Sequence, residues 1–123
     1  MEQYRLGEME KKFADIIWAY SPVSTRKLTE ICENEFGWKR TTTYTMLKRL
    51  CERGIFENQN GIVITLISKE DFTLGQSQEF IDQTFEGSLP MFLTLFSKNK
   101  RISEAELKEI QLTLEKYKEE NYD

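Results

Sequence analysis

The sequence contains no histidine, and that one absence removes a large share of enzyme chemistry. No Ser-His-Asp or Cys-His arrangement can be assembled, no imidazole can act as general base, and no histidine-ligated zinc site can form. Cysteine is almost as scarce. Cys32 and Cys51 stand in no paired spacing, too few for a four-thiolate site and in keeping with a reducing cytosol. They read as two small hydrophobes tucked into helices. The six glycines are scattered singly, which leaves no glycine-rich phosphate loop. No apolar run approaches the roughly 18 residues of a membrane span, and Met1 leads straight into Glu2-Gln3-Tyr4-Arg5. Neither a signal peptide nor membrane insertion is expected. Carboxylates abound but mix with lysines on helical faces, as solvated surfaces do. The expectation is a cytoplasmic protein that is not an enzyme and has no metal or cofactor.

What remains is unevenly distributed. The 123 residues suffice for one compact domain with an appendage, and the net charge is −4. Residues 1–70 carry 11 basic and 10 acidic side chains, whereas residues 71–123 carry 6 and 11. Between Phe36 and Arg53 the basic residues are Lys39, Arg40, Lys48, Arg49 and Arg53, opposed only by Glu52. A local basic segment can neutralise phosphates in an acidic chain, because screening in cell-like salt limits distant charges to about 8 Å. The asymmetry suggests two jobs in one chain, with a boundary near residue 70.

The first half reads as helix, short strand, helix, turn, helix, hairpin. Met9, Phe13, Ile16, Ile17 and Tyr20 form one stripe of a helix from about Gly7 to Ala19. Ser21-Pro22 stops it, Val23 pairs briefly, and Ser24 or Thr25 caps a second helix holding Leu28, Ile31, Cys32 and Phe36. Gly37 ends that helix. A third runs from about Lys39 to Arg53. Ile55-Phe56-Glu57 then reads as a strand, Gln59-Asn60-Gly61 as a tight turn, and Ile62 to Ile67 as its partner, since Asn-Gly between apolar runs signals a hairpin. This is the order of a winged helix-turn-helix.

The third helix carries the chemistry. On a wheel of 100° per residue Thr43, Leu47 and Leu50 share the inner side, with Met46 at its edge. Thr41, Thr45 and Lys48 lie opposite, flanked by Thr42 and Arg49 on one border and Tyr44 on the other. Threonine is a poor helix former, so four in five positions are costly for an ordinary solvent face. Against base edges they make sense: each offers a hydroxyl and a methyl that can meet a thymine methyl. Basic neighbours, including Lys39 and Arg40, would hold phosphates and fix the register. The alternative is a winged-helix protein-interaction module with weak or no specific DNA binding, which the acidic balance permits.

Residues 71–123 read as three helices serving as a dimerisation segment. Phe80, Ile81 and Phe85 mark the first, which Gly87 ends. Leu89, Phe92, Leu93 and Phe96 stripe the second after a Ser88 cap. Leu107, Ile110, Leu114 and Tyr117 stripe the third, behind a Ser103/Glu106 capping box. Five of the eight phenylalanines fall here, more apolar surface than a short helical tail hides alone. Burial against a second copy, in a homodimer, would remove it from water; the alternative is a tail that folds back on its own winged domain.

The run Thr41-Thr42-Thr43-Tyr44-Thr45-Met46-Leu47-Lys48-Arg49-Leu50, followed by Glu52-Arg53-Gly54-Ile55, resembles the T-T-V-Y-T-x-L-x-R-L-x-x-K-G-L pattern of the penicillinase repressor family. That family comprises the β-lactamase and methicillin-resistance repressors and copper-responsive relatives. Leu6-Gly7-Glu8-Met9-Glu10, Ile16-Ile17-Trp18 and Phe85-Glu86-Gly87-Ser88-Leu89 resemble its L-G-x-L-E, I-I-W and F-x-G-S-L, in the same order. The resemblance implies a homodimeric repressor on a palindromic double-stranded operator of the TACA/TGTA type, with a regulatory protease or sensor system as a further partner. It also implies that Thr42 and Thr45 touch bases, that Thr41 and Tyr44 lie at the groove, and that Arg49 serves the backbone. Three features depart from the pattern. The turn region Asn58-Gln59-Asn60-Gly61 lacks the family's basic wing, no C-terminal Cys-x-Cys pair is present, and Leu95-Phe96 stands where antibiotic-responsive members are cut at an Asn-Phe bond.

Overall fold

The computed structural model describes residues 4–99 and 101–122. Its elements are α1 (Glu8–Tyr20), β1 (Val23–Ser24), α2 (Thr25–Phe36), α3 (Arg40–Glu52), β2 (Phe56–Gln59), β3 (Ile62–Thr65), α4 (Lys69–Phe85), α5 (Leu89–Asn99) and α6 (Glu104–Asn121). Residues up to Phe80 form one compact unit and those from Ile81 a second. The division falls inside α4, beyond the composition break at residue 70.

In the first unit, local chemistry accounts for each boundary. The Gly7 N–H donates to Glu10 Oε1 at the start of α1 (2.9 Å), where Glu8 and Glu10 also complement the helix dipole. Ser24 Oγ accepts from the Lys27 N–H (3.0 Å) and caps α2. Gly37 ends α2 at φ 67°, in the left-handed region that a side chain would strain. The strands form an antiparallel sheet in the order β1-β3-β2, with Val23 opposite Val63 and Phe56 opposite Thr65. Asn60 and Gly61 make the hairpin turn with positive φ at both positions, and Asn58 Oδ1 accepts the Gly61 N–H (2.9 Å).

The strand limits differ slightly from expectation. Ile55 lies outside β2 because its N–H turns back to the Leu50 carbonyl, while its own carbonyl accepts from Leu66 and Ile67. Gln59 belongs to the ladder, paired with Ile62, so the turn is confined to two residues. In α1, Ala14 joins Phe13 and Ile17 in the core, whereas Met9 and Tyr20 at the ends of the sequence stripe are exposed.

One apolar cluster holds the unit together: Phe13, Ala14, Ile17, Val23, Leu28, Cys32, Leu47, Leu50, Ile55, Phe56, Val63 and Phe72. Phe72 sits one turn into α4, after Ser68 Oγ accepts the Asp71 N–H. Its ring lies 5.4 Å from that of Tyr4 and 5.5 Å from that of Trp18, whose indole N–H donates to the Ile67 carbonyl (2.9 Å). The same helix holds Tyr4 further along: Gln76 Nε2 donates to the Tyr4 carbonyl (3.0 Å), and the Tyr4 ring lies over Gly75 so closely that a Cβ there would stand 2.2 Å from it. Lys69 pairs with Asp15 of α1 at 3.1 Å.

In the second unit, Phe85 is buried, with its ring 5.4 Å from Phe92, which in turn lies 5.6 Å from Phe96. Ser88 caps α5 through the Met91 N–H, and Ser103 and Glu106 form the expected capping box at α6.

Because Phe72 is 2 % exposed, Phe72→Ala is expected to destabilise the protein by about 3–5 kcal/mol. Urea unfolding measures this. A loss under about 1 kcal/mol would show that the start of α4 is not part of the winged-helix core.

Candidate nucleic-acid interface

The rotation of α3 is set by Thr43, Leu47 and Leu50, all buried, with Met46 half-buried at the edge. On the opposite side Thr41, Thr42, Tyr44, Thr45, Lys48 and Arg49 are exposed, and Lys39 and Arg40 are exposed at the helix start. The structure thus places seven of these residues on one helix and Lys39 at its N-cap, all eight exposed to solvent. The threonine spacing puts hydroxyls and methyls along the middle of that surface, with cations at both ends.

The geometry refines several of these side chains. Thr45 Oγ1 donates to the Thr41 carbonyl at 2.9 Å. With that proton committed, its oxygen can still accept from an exocyclic amino group of adenine or cytosine, and its methyl remains outward. Arg49 leans on the Met46 sulfur at 3.8 Å, a weak contact that leaves most of its guanidinium donors for other partners. Arg53 does not belong to the outward charge. Its guanidinium donates to the Arg5 carbonyl and lies 3.6 Å from Glu10, both side chains being largely shielded. It ties the end of α3 to the chain preceding α1.

Tyr44 is the one large ring on the outer face, 37 % exposed. A hydrogen bond from Thr25, then one from Arg40, holds its phenol below the ordinary tyrosine value, and the Arg40 guanidinium carbon lies 5.8 Å from the ring centroid.

The wing adds no cation. Between Phe56 and Thr65 the only ionisable side chain is Glu57, whose Oε1 accepts from Gln59 Nε2 at 2.6 Å. Asn58, Gln59 and Asn60 are exposed amides.

Cys32 is buried and Cys51 half-buried, both as free thiols. Burial pushes the Cys32 thiol up to about 11, with the Thr43 hydroxyl pulling it part of the way back. Burial likewise raises Cys51. Among the described residues no group of histidine, cysteine and carboxylate side chains is arranged to hold a metal ion, and no described helix is long and apolar enough to cross a membrane.

Of the residues expected to dimerise, Phe80, Leu89, Phe96, Leu107 and Leu114 are exposed, Phe92 and Ile110 half-buried, and Phe85 buried. Phe85, Phe92, Leu95, Phe96 and Asn99 line a hollow of about 340 Å³. Met91, Leu93, Leu95 and Leu112 add further exposed apolar surface in α5 and α6.

Residues 6–116 match the family model described as penicillinase repressor. The penicillinase repressor of Bacillus licheniformis is 25% identical over 118 residues, covering 93% of this chain and 92% of that protein. The methicillin resistance regulatory protein MecI of Staphylococcus aureus (strain N315) is 22% identical over 117 residues, covering 92% and 95% respectively. The protein of the same name in Staphylococcus epidermidis matches equally well.

Proposed function

The chain belongs to the penicillinase repressor family, and we propose that it is a sequence-specific DNA-binding transcriptional repressor acting as a homodimer on a palindromic operator. The observation that carries this reading is the outward threonine face of α3, flanked by Lys39, Arg40, Lys48 and Arg49. An exposed helix studded with β-branched residues is intrinsically unfavourable, and the major groove gives those hydroxyls and methyls a role. Thr42 and Thr45 would meet base edges, and the cations would hold phosphates on either side. The neutral wing keeps the second reading, a protein-interaction module, in view. Phosphate neutralisation imposes a steep loss of affinity with salt, and an interaction module would show none on duplex DNA.

Dimerisation through α5 and α6 is the companion proposal. The leucines exposed there have more to gain from a second copy than from water, at roughly 25 cal/mol per Å² of apolar surface buried. Two recognition helices held about one turn of DNA apart would then address the two halves of a palindrome.

A regulatory protease remains a proposed partner, but Leu95 alters the terms. A pocket that hydrogen-bonds an asparagine amide is left with unpaired polar groups by leucine, which selects strongly against the substrate.

Three measurements test these points. Thr45→Ala is expected to cost about 1–3 kcal/mol of operator binding and to relax preference at one position, whereas Arg49→Ala weakens all sequences alike and flattens the salt slope by about one unit. Equal, sequence-blind losses from both would count against base reading by α3. Equilibrium sedimentation of the 14.6 kDa chain is expected to give a dimer at micromolar concentration, reduced to monomer by Leu114→Lys. A monomeric wild type, or a variant that stays fully dimeric, would move the interface elsewhere. Fragments recovered from induced cells are expected to include no dominant product ending at Leu95, and mass spectrometry finding one would restore the family's cut despite the substitution.

A further inference from the structure

The short strap Tyr4–Gly7, ahead of α1, touches two elements that lie far along the chain. The Arg5 carbonyl accepts from the guanidinium of Arg53, the C-cap of α3. Glu10 anchors Arg53 a second time at 3.6 Å, with both side chains largely shielded. The same carboxylate accepts the Gly7 N–H at 2.9 Å, so it holds strap and arginine together. Toward the other end, the Tyr4 carbonyl accepts from Gln76 Nε2 of α4 at 3.0 Å. The Tyr4 ring lies 5.4 Å from that of the buried Phe72, and Leu6 rests against the same core. Gly75 makes the close approach possible. Glycine is less favourable than alanine inside a helix, yet Gly75 stands in the interior of α4. A Cβ there would collide with the Tyr4 ring, whose atoms are its nearest neighbours. The helix thus gives up a better residue where the strap crosses it.

We infer that this strap determines half-site spacing in operator binding: it ties the end of α3 to the second turn of α4, and so fixes the direction in which α4 leaves the DNA-binding unit. Residues of α4 up to Phe80 belong to that unit, and the same helix carries the chain onward. Phe72 and the Lys69–Asp15 pair hold the first turn of α4. A helix held at one turn can pivot about it, and the grip on Gly75 and Gln76 removes that freedom. In a dimer on a palindrome, the two reading helices meet half-sites about one turn of DNA apart. A pivoting α4 would spread their separation over many values and lower the effective concentration of the second helix at its half-site. A fixed α4 favours one spacing. Each base pair inserted between the halves moves the second by about 3.4 Å and turns it by about 35° around the duplex, so a rigid reader discriminates sharply. Tyr4 and Gly75 are accordingly positioning residues, outside the threonine face of α3.

The inference rests on the proposed homodimer on a palindrome, and the test separates the two. Gly75→Ala and Tyr4→Ala are made in the full chain, with Tyr4→Phe as the variant that keeps the ring. Affinity is measured on an operator selected by the wild type from a random duplex pool. It is measured again on one half of that operator, and on versions with one or two base pairs inserted between the halves. Wild type and Tyr4→Phe are expected to bind the inserted versions at least about tenfold more weakly than the selected operator. In both alanine variants that discrimination falls below about threefold, while affinity for the single half stays as in the wild type. Without DNA, the amide residual dipolar couplings of residues 73–80 share one orientation with α1, α2 and α3 in the wild type, and depart from it in both alanine variants. Spacing discrimination retained in both variants, half-site affinity that falls in step with operator affinity, or unchanged couplings would each overturn the inference. A wild type that tolerates every spacing while the couplings still change would instead overturn the palindromic homodimer reading.

Discussion

The burial of Thr43, Leu47 and Leu50, the two leucines in the same apolar cluster as Phe13, Ile17 and Leu28, sets the roll of α3 about its own axis, and the character of its outer face follows from that roll. Four threonines within the first turns cost roughly 2–3 kcal/mol of helix propensity relative to alanine. The helix has no side-chain cap and no acidic residue in its first turn to offset this. Burying Leu47 and Leu50 contributes about 3–6 kcal/mol. Packing therefore wins: α3 is helical because of what lies beneath it, and that leaves its outer face free to carry residues chosen for another purpose.

The same division explains what could be read from the sequence. Inner and outer residues of α3 were legible because a single helix repeats at a fixed angle, and Thr43 announced itself as the one inward threonine. Ser24, Gly37 and Asn60-Gly61 were legible because caps and turns are local chemistry. The contacts that were not legible join elements distant in the chain. Arg53 counts as one more cation in a basic segment until Glu10 and the Arg5 carbonyl are seen beside it. Phe72 falls among the tail phenylalanines in the sequence but packs on Tyr4 and Trp18 in the structure.

The family model matches residues 6–116, while the relatives share 22–25% identity with the chain. The threonine helix resembles the family pattern, while the wing turn and the region around Leu95 depart from it. Those are surface features, where substitution costs little stability, typically within about 0.5 kcal/mol. They are accordingly where a regulator can change its signal or its target without rebuilding its core.

The uncharged wing turn, with Glu57 held by Gln59, bears on how such a protein would search a genome. Affinity for arbitrary duplex grows with each phosphate neutralised, and so does the time lost on irrelevant sites. A reader whose wing draws no phosphate leaves random DNA sooner and occupies less of it at any moment. On the proposed reading, fewer copies are then sequestered along the chromosome, and a larger fraction of a small cellular pool is free to find its operator.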